Sequence, residues 1–138
     1  MSGDTAGRGS KTTVFVCITC RRNDEPLEPL EGRSGYRFHA KLAAHPSAGG
    51  LEICPVACLS NCNRGCNAAF VSPGKWTFVI GNLDPDRDAG AVLRFAAQHA
   101  AHAEGLPVWR ERPECIRKGV AARVPPLAFT ATAKGATL

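Results

Sequence analysis

Seven cysteines stand in this chain: Cys17, Cys20, Cys54, Cys58, Cys62, Cys66 and Cys115. Five of them fall into two groups, Cys17-Ile-Thr-Cys20 and Cys58-Leu-Ser-Asn-Cys62-Asn-Arg-Gly-Cys66. Thiolates brought together repel unless protons or cations pair with them, and soft sulfur ligands suit iron and zinc. A 2Fe–2S cluster takes four ligands, usually all cysteine, so the ligand count is met with one to spare. Gly65 and the small residues Ser60, Asn61 and Asn63 let the second loop wrap closely and point backbone N–H groups at sulfur. Such bonds raise the reduction potential of a cluster.

The seven cysteines are an odd number, so a full disulfide framework leaves one over. The grouped ones sit in polar, glycine-containing stretches, which argues against simple buried hydrophobes. Cys17-x-x-Cys20 by itself also fits a thiol–disulfide redox pair. Such pairs open a helix directly, however, and Arg21-Arg22-Asn23-Asp24-Glu25-Pro26 reads as loop. Cys54 alternates within a strand and reads as a core residue; Cys115 stands alone near the end. His39, His45, His99 and His102 read as surface residues rather than ligands. Lys75 reads as a turn residue and Trp76 as packing in a hairpin. No nucleophile–base constellation or phosphate loop is visible, so an enzyme is not expected.

At 138 residues, 44% hydrophobic and 21% charged, the chain suits one globular domain that needs no covalent staples. Its start is polar and lacks the apolar core of a secretory signal, and no apolar run is long enough to span a bilayer. A reducing cytoplasm is the expected compartment, where clustered cysteines are more often metal ligands or catalysts than disulfides. The formal net charge of +5 reads mainly as solubility, with docking to an acidic protein as the sharper alternative. The basic residues are not interleaved with aromatics, so no nucleic-acid partner is expected, and no membrane.

Two sheet strands must position these loops. Thr12 to Ile18 reads as a first strand, residues 21–33 as a charged loop, and Gly35 to His45 as a helix with Tyr36, Leu42 and Ala43 near helical spacing. Leu51 to Val56 reads as a second strand leading into the cysteine-rich segment. Ala68 to Ser72 and Lys75 to Ile80 read as a pair joined at Pro73-Gly74. Asp84 with Pro85 reads as the start of a helix that runs to about Ala103 on a stripe of Val92, Leu93, Ala96, Ala97, Ala100 and Ala101. Residues 1–11 read as disordered, 12–118 as the domain and 119–138 as an extended or disordered tail. A helical crossover makes the first two strands parallel and right-handed, so their C-terminal ends emerge on one edge of the sheet. The two cysteine groups then converge although they are far apart in sequence.

Thr13-Val-Phe-Val-Cys17 with Arg21-Arg22, Cys58-Leu-Ser-Asn-Cys62-Asn-Arg-Gly65 and Ser72-Pro-Gly-Lys-Trp76 together resemble the thioredoxin-like 2Fe–2S ferredoxins, over about Thr12 to Ala103. The chain is more similar still to a bacterial family described as predicted metal-binding proteins. Cys58 to Cys66, Pro73 to Thr77 and Ala122 to Leu127 carry that likeness. The resemblance implies an α/β fold with a thioredoxin-like mixed four-stranded sheet and flanking helices. It implies a 2Fe–2S cluster on Cys17, Cys20, Cys58 and Cys62, with Cys66 as the alternate ligand. Cys20 substitutes for a ligand the ferredoxins place farther along, and Cys66 occupies the position of their proline.

The implied function is a one-electron carrier, linked to cobalamin biosynthesis because genes of the second family often neighbour that pathway. The implied partners are a redox protein, either a flavoprotein or a cobalt-reduction enzyme, with a homodimer left open. Zinc-binding module, cobalt or other metal chaperone, and thiol–disulfide enzyme are the competing readings of the same cysteines.

Overall fold

The computed structural model describes residues 11–22, 25–127 and Phe129. Five strands form one sheet: β1 (Thr13–Cys17), β2 (Glu52–Val56), β3 (Ala68–Val71), β4 (Thr77–Ile80) and β5 (Val120–Val124), in the spatial order β2-β1-β3-β4-β5. β1 and β2 are parallel, and every other neighbouring pair is antiparallel. The first four strands make the expected mixed four-stranded sheet. Helices α1 (Ser34–Ala44), α2 (Ala89–Ala101) and the short α3 (Glu114–Gly119) complete the fold. No helix among the described residues is long and apolar enough to cross a membrane. Of the segments expected to be disordered, residues 1–10 and most of those after Leu127 lie outside the described residues.

The strands form where β-branched and aromatic residues alternate. In β1, Val14 and Val16 are fully buried while Thr13 and Phe15 are only partly covered. Pro55 sits in β2, which lies at the sheet edge, where its missing N–H breaks no ladder bond. Ser72-Pro73-Gly74-Lys75 closes the β3–β4 turn, with Gly74 at φ +74° and the Lys75 amide donating to the Ser72 carbonyl at 3.1 Å. Phe38, Phe70, Phe78 and Phe95 are fully buried or nearly so. Burying each contributes about 1.5–3 kcal/mol. Phe95 meets Phe70 and Phe78 edge-on, with centroids 4.9 and 5.4 Å apart.

Several expectations are corrected. The sheet has a fifth strand: residues 120–124, expected in the tail, pair with β4. β5 is exposed along its length and so carries no apolar alternation to read; it forms because β4 offers an unpaired row of N–H and C=O groups. The buried stripe of α1 is Ser34, Phe38 and Leu42; Tyr36 is only partly covered and Ala43 is exposed. The stripe of α2 is Val92, Leu93, Phe95, Ala96 and His99, while Ala97 and Ala101 face solvent. Helix α2 starts at Ala89 after Asp88, not at Asp84. The Asp84 carbonyl accepts the Arg87 and Asp88 amides, and its Oδ1 accepts the Asp86 amide, which closes a separate turn. Cys54, expected in the core, is half-buried on edge strand β2.

Two polar residues read as peripheral are structural. His99 is fully buried. Its Nε2 lies 2.6 Å from the Trp76 carbonyl and its Nδ1 2.7 Å from Thr12 Oγ1. A carbonyl only accepts, so Nε2 carries the proton; burial and the nearby Lys75 ammonium disfavour a second one, so Nδ1 accepts from the Thr12 hydroxyl. Lys75 is 2% exposed and donates through Nζ to the His99 and Ala100 carbonyls, which caps the C-terminal turn of α2. Gly105, at φ +73°, passes so close that a Cβ there would lie 2.8 Å from His99 Nε2 and 2.9 Å from Lys75 Cβ.

The N-terminus of α1 lies directly against the first cysteine loop. The Gly35 amide donates to the Cys20 carbonyl at 3.0 Å. A Cβ on Gly35 would stand 2.2 Å from the Cys17 carbonyl oxygen. Gly35→Ala gains about 1 kcal/mol of helix propensity. The clash is with backbone, which cannot swing away, so overpacking of roughly 1–3 kcal/mol outweighs the gain. Urea denaturation should find the variant less stable; a more stable one would contradict the packing described.

His99 also makes stability depend on pH. Burial first, then the Lys75 ammonium, push its pKa below the ordinary 6.5, against the opposing bond to Trp76. The unfolded chain therefore takes up the proton before the native one does. This contribution is complete above pH 6.5 and is lost as pH falls from there through the lower folded value. Denaturation curves between pH 5 and 8 (a range of roughly the ordinary His titration) should show that loss. His99→Leu should flatten it while lowering stability at pH 8 by about 1–3 kcal/mol, because the Trp76 carbonyl loses its donor. An unchanged slope in the variant would refute the assignment.

Candidate metal centre

Parallel pairing of β1 with β2 sets Cys17 opposite Val56 in register. The Ile18 amide donates to the Val56 carbonyl at 3.0 Å, carrying the pairing one residue past the strand ends. Beyond this point both chains leave the sheet together. Cys17 Sγ lies 3.7 Å from the carbonyl oxygen of Ala57, the residue before Cys58. Thr19 Oγ1 donates to that same carbonyl. The expected convergence of the two cysteine loops on one edge of the sheet is therefore present.

Four of the thiols stand as two pairs. Cys17 and Cys20 Sγ are 2.8 Å apart, and Cys58 and Cys62 Sγ are 3.9 Å apart. Cys17 and Cys20 are buried, whereas Cys58 and Cys62 are exposed. Among the described residues, no three Cys, His, Asp or Glu side chains form a ready-made group for one ion. Cys66 stands apart from the pairs in its surroundings. It is fully buried within the apolar core, and its backbone exchanges two hydrogen bonds with Leu83. Burial pushes its thiol up to about 12. Cys115 is half-buried, with its thiol pushed up to about 11, chiefly by burial.

The buried pair is electrically asymmetric. Cys20 Sγ donates to Cys17 Sγ, which holds the Cys17 thiol well below its ordinary range and raises that of Cys20. A site that favours thiolate is what metal binding requires, since only deprotonated sulfur ligates. At the exposed pair the hydrogen bond with Cys58 raises the Cys62 thiol. The Ser60 amide points at Cys58 Sγ from 3.1 Å, with Ser60 at φ +59°, so one backbone N–H is aimed at sulfur as the loop composition suggested.

Each loop is fixed by a residue outside the cysteine motifs. Glu25 braces the first. Its carboxylate accepts from the amides of Arg22 and Ser34, the Ser34 hydroxyl and the Arg37 guanidinium. Burial opposes its ionisation, but the Ser34 bonds, with Arg22 and Arg37, hold its pKa below the usual carboxylate value. Arg33 Nη1 adds a bond to the Thr19 carbonyl at 3.1 Å. In the second loop a short 3-10 turn, Cys62–Arg64, is held by the Asn82 amide donating to the Arg64 carbonyl. Gly65 passes beside the first loop, where a Cβ would lie 3.0 Å from Cys20 Cβ.

Asn67 joins the two loops. It is fully buried, with Nδ2 3.2 Å from Cys20 Sγ and 3.0 Å from the Asn61 carbonyl. Its own carbonyl accepts the Cys17 amide at 3.2 Å. Sequence reasoning passed over Glu25 and Asn67. Asn67 had one signal, an amide side chain set directly before the apolar run of β3. Glu25 had none, because its partner Ser34 lies nine residues away across a loop.

Comparison with curated proteins gives no match. Among solved structures, the chain is similar to that of a thioredoxin-like [2Fe–2S] ferredoxin from Aquifex aeolicus, at 17% identity and a TM-score of 0.48, over 87% of this chain and 98% of that one. Residues 14–126 match the model of a family described as protein of unknown function DUF1636. That match spans the sheet from Val14 in β1 to the end of β5 and both cysteine pairs, and the chain belongs to this family.

Proposed function

We propose that this protein is a one-electron carrier whose Cys17, Cys20, Cys58 and Cys62 hold a 2Fe–2S cluster. The observation that carries the reading is the pair of thiol pairs on one sheet edge. Two thiolates bound to one tetrahedral metal at about 2.3 Å stand roughly 3.8 Å apart, close to the 3.9 Å between Cys58 and Cys62, whereas Cys17 and Cys20, at 2.8 Å, would have to part to hold one iron. Four cysteine sulfurs divided between two loops fit a centre with two irons. Bound there, such a cluster would supply one-electron redox chemistry.

The chain's own contribution is position, shielding and charge. Cys17 and Cys20 lie at the floor of the site, under β1 and α1, where water is excluded. Cys58 and Cys62 lie at its exposed rim, which leaves one side open to a redox partner. Donors from Ser60 and Asn67 reach the sulfurs and stabilise negative charge on them. A carrier rather than a catalyst is the consistent role. A flavoprotein donor and a cobalt-reducing acceptor in corrinoid synthesis are the partners we assign, with the cytoplasm as the compartment.

A second reading follows from one observation: the exposure of Cys58 and Cys62. Exposed thiolates exchange ligands readily, as a zinc or cobalt carrier requires.

Anaerobically purified protein should contain iron and acid-labile sulfide in equal amounts. A rhombic paramagnetic signal should appear only on one-electron reduction. Colourless protein with zinc and no sulfide would overturn the carrier reading in favour of the second. Serine substitution of Cys17, Cys20, Cys58 or Cys62 should each abolish stoichiometric iron, whereas Cys54→Ser and Cys115→Ser should retain it. Cys66→Ser should keep the iron and lower stability by about 1–3 kcal/mol, because a hydroxyl replaces a thiol in apolar surroundings.

A further inference from the structure

The structure points to Asn67 as the positioning residue for Cys20: we infer that its side-chain amide donates a hydrogen bond to the Cys20 sulfur in the metal-bound protein, and that this bond tunes the centre. The inference rests on the reading of Cys20 as a ligand and goes beyond it by assigning a residue that no cysteine motif contains.

The orientation of the amide is dictated by its neighbours. Asn67 Nδ2 stands 3.0 Å from the backbone carbonyl of Asn61, and Oδ1 stands 2.7 Å from Asn61 Nδ2. A backbone carbonyl can only accept, so the group facing it must be the N–H-bearing nitrogen. Turning the amide over would set oxygen against oxygen there. The second hydrogen on Nδ2 is then free for the remaining neighbour, Cys20 Sγ, at 3.2 Å. Both amide hydrogens and the amide oxygen are engaged, and the residue is fully buried, so water does not compete for the sulfur.

The backbone of the same residue holds the backbone of the other cysteine of the pair, since the Asn67 carbonyl accepts the Cys17 amide. Asn67 therefore grips the Cys17–Cys20 loop at both cysteines and the Cys58–Cys62 loop at Asn61. The fit is tight. A Cβ on the facing Gly81 would stand 2.6 Å from Asn61 Nδ2 and 2.9 Å from Asn67 Oδ1. A hydrogen bond to a ligand sulfur withdraws electron density from the metal and favours its reduced state. It also orients the ligand, and loss of such a partner typically weakens metal binding about 10–100-fold.

The alternative is that Asn67 merely pins two loops together. Two variants separate the roles. Asn67→Ala removes the donor to Cys20. Asn61→Ala removes the side-chain partner of Asn67 Oδ1 within the second loop but leaves the Asn61 backbone carbonyl, and hence the donor to sulfur, in place. The measurement is the midpoint potential of the iron-loaded full-length chain, with thermal unfolding of each variant alongside. Asn67→Ala should shift the reduction equilibrium about tenfold toward the oxidised form, 59 mV for one electron. Asn61→Ala should leave the potential at the wild-type value even where it lowers stability.

Equal potentials in Asn67→Ala and wild type would overturn the inference. So would equal shifts in both variants, since that is the signature of a pin. Should Asn67→Ala not fold, Asn67→Asp keeps the shape and acceptor but lacks the donor. It should lower the potential further, and a wild-type value would overturn the inference. Wild-type protein that takes zinc and no iron defeats the carrier reading without defeating this one. The zinc dissociation constant then replaces the potential: it should rise about 10–100-fold in Asn67→Ala and stay near wild type in Asn61→Ala. Wild type that binds neither metal overturns both.

Discussion

The parallel pairing of β1 with β2 is the constraint on which the candidate site depends. Parallel strands run the same way, so their C-terminal ends leave the sheet on the same edge, and here the register sets Cys17 against Val56. The two loops that follow have no choice but to meet. An antiparallel pair with the same residues would send Cys17 and Cys58 to opposite ends of the sheet. The crossover that makes the pairing parallel runs through α1, whose first turn packs on the Cys17–Cys20 loop through Gly35. The element that determines strand direction thus also shapes the floor of the site.

Converging thiols create a second constraint, because sulfurs held together must share protons or bind a cation. The structure meets it differently in its two pairs. At the buried pair one thiol donates to the other, which favours ionisation of Cys17 over that of Cys20. At the exposed pair the sulfurs stand farther apart and face solvent. The difference in burial means that one side of the site is rigid and dry and the other accessible, which suits a centre that must be both sheltered and reached.

Around the site and through the core, buried polar groups are paired with few exceptions. Asn67 uses its whole amide, His99 both ring nitrogens, and Lys75 its ammonium on two helix carbonyls. Such groups are costly when unpaired and directional when paired, so they fix one arrangement among several that an apolar core would tolerate. Asn67 acts in this way between the loops, and His99 with Lys75 ties the end of α2 to the β3–β4 turn.

The first four strands and the cysteine loops were legible in the residues, because both depend on local pattern. Alternating β-branched residues mark β1, Pro73-Gly74 marks the β3–β4 turn, and the spacing of Cys17, Cys20, Cys58 and Cys62 marks sites where metal ligands could gather. Parallel direction followed from the helix that joins the first two strands, and with it the meeting of the loops. What local pattern could not convey was the fate of polar or exposed residues. His99 looks like a surface residue and Lys75 like a turn residue until a helix end is laid over a turn, and β5 has no apolar period because both its faces are exposed. The bond from Asn67 to Cys20 spans 47 positions in sequence. A hydrogen bond across that distance is decided by which groups the packed sheet brings within about 3 Å, and the order of residues along the chain carries no record of that distance.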